Sequence, residues 1–393
     1  MVRSAAIGFG LVASENDVLA RYRELLDRHV TAARQLLPDN ARMWDVHTHL
    51  GVDEDGMSQT PEQLLDEMSA AGIERSFTFP LNDPDRVPAY RVPNDRVLAW
   101  AEASEGRLVP FCRLDLTEDP IAEANRCLDR GAQGIKLHPR AQKFDFGARG
   151  LNPVFAVAAE RRVPILIHAG RGLPAIAEDL RELVERHAGA QLILAHAAIA
   201  DLQHIGRILR DHPNVVYDTS VWGVTDLQAL LATAAPEQIL WASDAPYGMM
   251  QSASLQMLRV GHHAGASPEQ LRGMFWGNAE RVAHGVPAAT LSRPLMDGPP
   301  RMTFQRLRIS DYMMTTMALL WMRQPDMPGA LGLALRACDT EASPELAEVA
   351  ELIETASLLW AEGLTRDQPE QITLYTRAAS RMLQVALTLL HTS

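Results

Sequence analysis

Short apolar runs alternate with longer amphipathic stretches along most of the chain, beginning at Met43. Eight runs have the length and the β-branched or aromatic content of buried strands: 43–49, 74–81, 107–114, 133–138, 163–168, 191–196, 214–219 and 238–244. Between them, apolar residues recur at helical spacing over 61–71, 95–105, 119–130, 151–161, 174–187, 201–211 and 226–234. Thr60-Pro61 and Leu173-Pro174 supply helix-start signals, because proline at the first helical position loses no hydrogen bond. Strands alternating with helices imply parallel crossover units. Eight of them over about 240 residues predict an α/β fold closed into a (β/α)₈ TIM barrel. An open doubly wound sheet would carry a glycine-rich phosphate loop after its first strand, and none follows residues 43–49.

The flanks read differently. Residues 1–42 hold one helical stripe, Leu19, Tyr22, Leu25, Leu26, Val30, Ala33 and Leu36, stopped by Pro38; it predicts a lead-in helix packed on the barrel. After residue 285 the strand signal ends. Pro287, Pro294, Gly298, Pro299 and Pro300 mark a linker, and helices are expected over 310–323, 328–338, 344–362 and 368–390. The expected organisation is a lead-in over 1–42, a barrel over 43–285, and an all-α C-terminal extension over 286–393 that carries no grouping of chemical residues.

The chemistry collects at strand ends. His47 and His49 (MWDVHTHLG), His168 (VPILIHAG), His196 (QLILAHAA) and Asp244 (QILWASDAPYG) each stand at the far end of an apolar run. Imidazoles and carboxylates are costly to bury unless paired or metal-bound, and a barrel builds its active site at the C-terminal ends of its strands. His47 and His49 are two apart, so they share a face. A lone HxH is as well explained by two hydrogen-bonded core histidines; five such positions together point to a divalent-metal site. Lys136 and His138 in GIKLHP share a face by the same parity. Lys136 reads as a substrate-anion contact, as a metal-bridging carboxylated lysine, or as a lysine snorkelling to the mouth. Arg113 ends the third strand, Asn82 and Asp83 follow the second, Trp222 follows the seventh and Tyr247 follows Asp244. All are placed to line the mouth, and Arg113 suits a substrate carboxylate.

Composition narrows the class. Hydrophobic residues make up 47% and charged residues 22% of the 393, a globular balance, and a net charge of −12 argues against a nucleic-acid binder. Cys112, Cys127 and Cys338 are widely spaced, odd in number and without a CxxC, so they read as small buried hydrophobes in a reducing compartment. The start, MVRSAAIGFGLVASEN, is a poor secretory signal, and no stretch approaches the roughly 20 apolar residues of a membrane span; a cytoplasmic protein is expected.

The order HxH, His, His, Asp, with the segments DVHTHLG, GIKLHP, IHAG, LAHAA, SDAPYG and GNAERV, resembles the amidohydrolase superfamily over roughly residues 43–285. Within it the likeness is to the amidohydrolase 2 branch, which contains metal-dependent hydrolases and decarboxylases related to aminocarboxymuconate semialdehyde decarboxylase. The resemblance implies that His47, His49, His168 and Asp244 are metal ligands and that His196 is an acid–base residue. Binuclear members use both His168 and His196, with a bridging residue on the fourth strand. The residues present satisfy one ion with a position left for water, so one divalent metal is expected, Zn²⁺ first, with Mn, Fe or Co accepted by the same donors, and no second metal.

The expected reaction is hydrolysis of an amide, ester or lactone of a small anionic molecule. Asp244 takes the water proton, and His196 polarises the scissile group or stabilises the oxyanion. Non-oxidative decarboxylation of a small aromatic or unsaturated acid uses the same residues, and a non-catalytic barrel acting as a binding module is the reading from another class. Lys136, His138, Arg113, Trp222 and Tyr247 are the expected substrate contacts. The expected partners are a small-molecule substrate and a second copy in a symmetric homodimer, with neither nucleic acid nor membrane.

Overall fold

The computed structural model describes residues 15–298, 300–322, 324, 326, 329–339 and 343–393. The stretch weighed as a secretory signal, up to residue 14, and Pro299 of the expected linker lie outside the described residues.

The strands are β1 (Trp44–Val52), β2 (Ser58–Gln59), β3 (Arg75–Pro80), β4 (Leu108–Arg113), β5 (Gly134–Leu137), β6 (Pro164–Ile167), β7 (Gln191–Leu194), β8 (Val215–Asp218) and β9 (Ile239–Leu240). They pair in the order β2-β1-β3-β4-β5-β6-β7-β8-β9. Only β2, a two-residue antiparallel return absent from the sequence reading, departs from a run of parallel neighbours. Each expected strand is present.

The eighth is regular for two residues only, yet its continuation closes the ring. Val46 N donates to Trp241 O (3.2 Å), Asp244 N to His47 O (2.9 Å) and His49 N to Ala245 O (2.8 Å). The seam between first and last strands is therefore made by the segment that carries Asp244. A register shift between Asp45 and Thr48 precedes the HxH pair. Such a bulge re-aims side chains, so Val46 packs in the core while His47 and His49 reach the strand-end cluster.

Helices cover the strands as expected, and several boundaries follow local chemistry. Pro61–Ala71 starts on a Thr60–Gln63 capping box and stops at Gly72 in a left-handed conformation. Below the strand ends the barrel is filled by Trp44, Phe77, Phe111, Leu166, Ile193 and Val216, with Trp44 and Phe77 edge-to-face at 5.2 Å. The polar cluster thus rests on an apolar plug. All three cysteines are buried and free.

Contacts divide the described residues into two compact units, essentially 32–301 and the pair of segments 15–31 and 302–391. In the second, the helix Glu15–Arg34 contributes its residues through Thr31 beside Phe304–Trp321, Ala330–Cys338, Pro344–Gly363 and Pro369–Thr392. Leu346, Val349, Leu352, Ile353 and Leu359 are buried there, and Arg28–Glu351 (2.8 Å) and Arg381 Nη1–Tyr22 Oη (3.0 Å) join helices across its surface. Among the described residues no helix is long and apolar enough to cross a membrane.

Candidate metal centre

Three donors from the two ends of the barrel sequence meet at the seam. His47 Nε2 and His49 Nε2 each lie 3.2 Å from Asp244 Oδ1. Among the described residues these three form the group whose donor atoms all fall within 4.8 Å of one another. Ligands about 2.0–2.1 Å from a tetrahedral ion stand about 3.3 Å apart, so the two 3.2 Å separations fit a common divalent cation. Asp244 is held for this by an unusual backbone, φ +64°. Asp and Asn enter that left-handed region at lower cost than most residues. Gly248 permits the turn, since a β-carbon there would lie 1.9 Å from Ser243 O.

His168 stands outside this three-donor group. It follows β6, its ring stacks on His138 at 4.0 Å and meets His196 edge-on at 4.7 Å, and its Nε2 is buried with no hydrogen-bond partner. The His168–His196 approach depends on Gly170, where a β-carbon would sit 2.8 Å from His196 Cδ2 and 3.1 Å from His168 Cε1. His49 Nδ1 is likewise buried and unbonded. The orphaned His168 Nε2 is what an imidazole donor to a cation looks like, whereas His49 Nδ1 lies on the far side of the ring from the Nε2 that meets Asp244.

His196 sits past the end of β7, not on it. It opens a turn in which His196, Ala197 and Ala198 all have φ between 53° and 57°. Its Nδ1 is 2.9 Å from Ser220 O. A carbonyl only accepts, so Nδ1 donates and the Nε2 lone pair stays open. In this tautomer neutral His196 accepts a proton at Nε2, whereas polarising a carbonyl needs the imidazolium.

Electrostatically the cluster is an array of neutral imidazoles around two buried cations. Burial first, and neighbouring charge second, hold His47, His49 and His138 well below the ordinary histidine range and His168 down to about 2. Burial also lowers His196. The Asp244 carboxyl is pushed well above its usual range by burial, against the opposing pull of Lys136. Lys136 is fully buried, so it does not snorkel. Its Nζ lies 3.2 Å from His47 Nε2 and 4.3 Å from the Phe79 ring centre, and burial brings its pKa down to about 7. Neutral imidazoles and a carboxylate that is costly to ionise alone match a cation's requirements.

The expected mouth residues separate. Arg113 is not at an open rim; it is 1% exposed, donates from Nη1 to Pro80 O (3.2 Å) and keeps Nε and Nη2 buried without a partner. Its charge bears on His49, His138 and Lys136, so the guanidinium belongs to the site. Tyr247 meets the His49 ring edge-on at 5.8 Å and bonds Asp55. His138 caps the short helix Pro139–Gln142, accepting from Ala141 N at Nδ1 (3.2 Å). Trp222 is half-buried after β8, its carbonyl accepting from Gln256. Asn82 accepts from Tyr90 Oη, and Asp83 pairs with Arg96.

One residue that sequence reasoning passed over joins the cluster. Asp218, the last residue of β8, is fully buried with Oδ2 2.7 Å from His47 Nδ1. It occupies a strand end, the same signal that singled out the other five positions.

Solved structures similar to this chain include a 2,6-dihydroxybenzoate decarboxylase complexed with 2,6-dihydroxybenzoate (16% identity, 62% of this chain and 98% of that one, TM-score 0.49). An uncharacterized TIM-barrel protein from Bordetella bronchiseptica (18%, 67% and 91%, 0.49) and a 4-oxalomesaconate hydratase from Rhodopseudomonas palustris (17%, 62% and 96%, 0.48) are similar to the same degree. No curated protein matches the chain. The amidohydrolase family profile matches residues 44–282, from the first residue of β1 into the helix Asn278–Ala283. The chain belongs to the amidohydrolase 2 family of enzymes.

Proposed function

We propose that the protein is a metal-dependent hydrolase that uses water to open an amide, ester or lactone carbonyl of a small anionic substrate. The observation that carries this reading is the meeting of His47 Nε2, His49 Nε2 and Asp244 Oδ1 at the spacing of one coordination shell, at the closed seam of the barrel. These three would hold one divalent cation, and His168, with its orphaned Nε2 in the same strand-end cluster, is the further donor this reading includes. A cation bound there supplies Lewis acidity and brings the pKa of water from 15.7 towards about 7. Zn²⁺ suits the donors best, and Mn, Fe or Co are accepted by the same set.

The remaining steps belong to the chain. Asp244 receives the proton that the attacking water loses. Asp244 passes that proton to the leaving atom, and His196, its orientation set by Ser220 O, accepts at Nε2 the second proton of that water as the acid product is released. Lys136 and Arg113 are buried basic groups, and among the described residues no carboxylate is hydrogen-bonded to either, although Asp244 and Asp218 act on Lys136 and Asp53 and Asp83 on Arg113 through space. An anionic group on the substrate supplies the missing charge, with the Nε–Nη2 edge of Arg113 as its bidentate receptor. Tyr247, His138 and Trp222 are the further substrate contacts this reading includes.

Purified protein is expected to hold about one equivalent of divalent metal by elemental analysis. Free metal at 100 times its dissociation constant stabilises the fold by about 2.7 kcal/mol. Chelation should therefore lower the melting temperature as well as stop turnover, and re-addition of metal should restore both. Stoichiometric metal absent, with melting indifferent to chelator, would point instead to a non-catalytic binding module. A panel of acyl compounds and unsaturated or aromatic carboxylates, assayed for acid release against CO₂ release, separates hydrolysis from decarboxylation.

Arg113→Met is expected to raise KM for anionic substrates about 10–100-fold, the worth of one charge-assisted pair, with little change for a neutral analogue. Because the guanidinium is buried and makes no hydrogen bond to a carboxylate among the described residues, its removal should leave melting unchanged or raised. Equal KM effects on charged and neutral substrates would remove Arg113 from the binding role.

A further inference from the structure

We propose that Asp218 is a positioning residue that orders the metal ligand His47 and the acid–base residue His196 with one carboxylate. The His47 half of this rests on the metal-dependent reading above; the geometry does not.

Each Asp218 oxygen has its own task. Oδ2 lies 2.7 Å from His47 Nδ1. With three donors already on Oδ1, the carboxylate acts as an acceptor, so Nδ1 of His47 donates and the lone pair is fixed on Nε2. That nitrogen is the one that faces Asp244 Oδ1. A histidine carrying its proton on the other nitrogen could not bind a cation there, which is why an oriented partner on the far nitrogen matters to metal sites. Nothing equivalent serves His49, whose Nδ1 has no partner. Of the HxH pair, His47 alone is set by a carboxylate.

Oδ1 holds the other half. It accepts from His196 N (2.8 Å), Ser220 N (3.0 Å) and Ser220 Oγ (2.5 Å). His196 begins three consecutive left-handed non-glycine residues, a conformation costing roughly 1–2 kcal/mol each, so the turn persists only where bonds hold it. Asp218 grips the turn at its first amide. It also grips Ser220, whose Oγ and O lie 3.0 and 2.9 Å from His196 Nδ1. One buried side chain therefore sets the tautomer of a ligand imidazole and the place of the proton-transferring one.

The test uses the whole chain stripped of metal and then titrated with Co²⁺. In the metal-free wild type, ¹⁵N chemical shifts of His47 should show Nδ1 protonated and Nε2 bare. Asp218→Asn offers a single acceptor oxygen, which cannot serve both the His47 N–H and the three donors on Oδ1. It is expected to weaken Co²⁺ binding about 10–100-fold and to disturb the His47 tautomer. Ser220→Ala, which keeps the Asp218–His47 bond, should bind Co²⁺ close to wild type. Co²⁺ affinity unchanged in Asp218→Asn, or a wild-type His47 protonated on Nε2, overturns the proposal. A purely structural role would lower the melting temperature without moving tautomer or affinity, and that result overturns it too. Should Asp218→Asn not fold, the wild-type tautomer decides alone. Should the wild type take up no metal, the metal-dependent reading falls, and the wild-type tautomer again decides for or against Asp218.

Discussion

Asparagine in place of Asp244 is expected to cut turnover by about 10²–10⁴-fold, the usual worth of a positioned proton acceptor, while the protein folds normally. The backbone argument comes first. Asp244 has φ +64°, and asparagine is among the few residues that tolerate this conformation. The bonds that place the segment are backbone bonds, Asp244 N to His47 O and Gly248 N to Asp244 O, both 2.9 Å, and the substitution leaves them intact. The charge argument agrees. Burial raises the Asp244 carboxyl well above its usual range, so the metal-free fold gains nothing from the ionised form. What disappears is an anionic oxygen 3.2 Å from both His47 Nε2 and His49 Nε2, and with it the base. Asp244→Ala makes the control: it loses the same chemistry but adds about 1–2 kcal/mol of left-handed strain. Turnover at saturating metal, read beside thermal melting, checks both. An Asn variant working within tenfold of wild type would remove Asp244 from the proton-transfer role.

The part of this site that was legible in the sequence is the part written in local pattern. Period and length locate the strands, and a polar residue closing an apolar run is visible without a fold; His47, His49 and Asp244 were found that way and meet in space. What was not legible depends on partners far off in the chain. Asp218 closes NVVYDT as plainly as His168 closes VPILIH, but a strand-end aspartate is ordinary until its oxygen is seen 2.7 Å from an imidazole 171 residues away. Arg113 reads as a rim residue because arginines are seldom fully buried; only packing reveals a buried guanidinium with Nε and Nη2 unbonded. His196 read as the last residue of a strand, and its left-handed turn is held by Asp218 and Ser220, which no periodicity records. The closing strand shows two regular residues because its further bonds are made with β1, the most distant strand in sequence.

The metal-free protein is expected to lose stability steeply as pH falls below 6.5. Four imidazoles, His47, His49, His138 and His168, are held neutral in the fold, chiefly by burial, and burial lowers His196 as well. The unfolded chain protonates them near pH 6.5, so it binds more protons than the native state and stability must rise with pH through this window. Each imidazole withdraws about 1.4 kcal/mol per pH unit below 6.5. Two carboxyls oppose this. Asp45, raised to about 7 by burial, and Asp244, also raised, take up protons in the fold that their unfolded counterparts refuse until about pH 4. Lys136, lowered to about 7, is protonated in both states below that pH and so contributes its slope only above it. Four protons against two leave a net uptake on unfolding, to which His196 adds. With a discount for the partial exposure of His138 and His168, the loss between pH 6.5 and 5.5 is about 1–3 kcal/mol, a sizeable share of an ordinary domain's 5–15. A bound cation needs the same neutral imidazoles and should therefore move the whole transition to lower pH. Urea unfolding at half-unit steps from pH 5 to 8, with chelator and with Zn²⁺, reads both curves. A metal-free curve that stays flat across this range would mean that the imidazoles titrate as they do in water, and the buried cluster from which the metal site was argued would not exist.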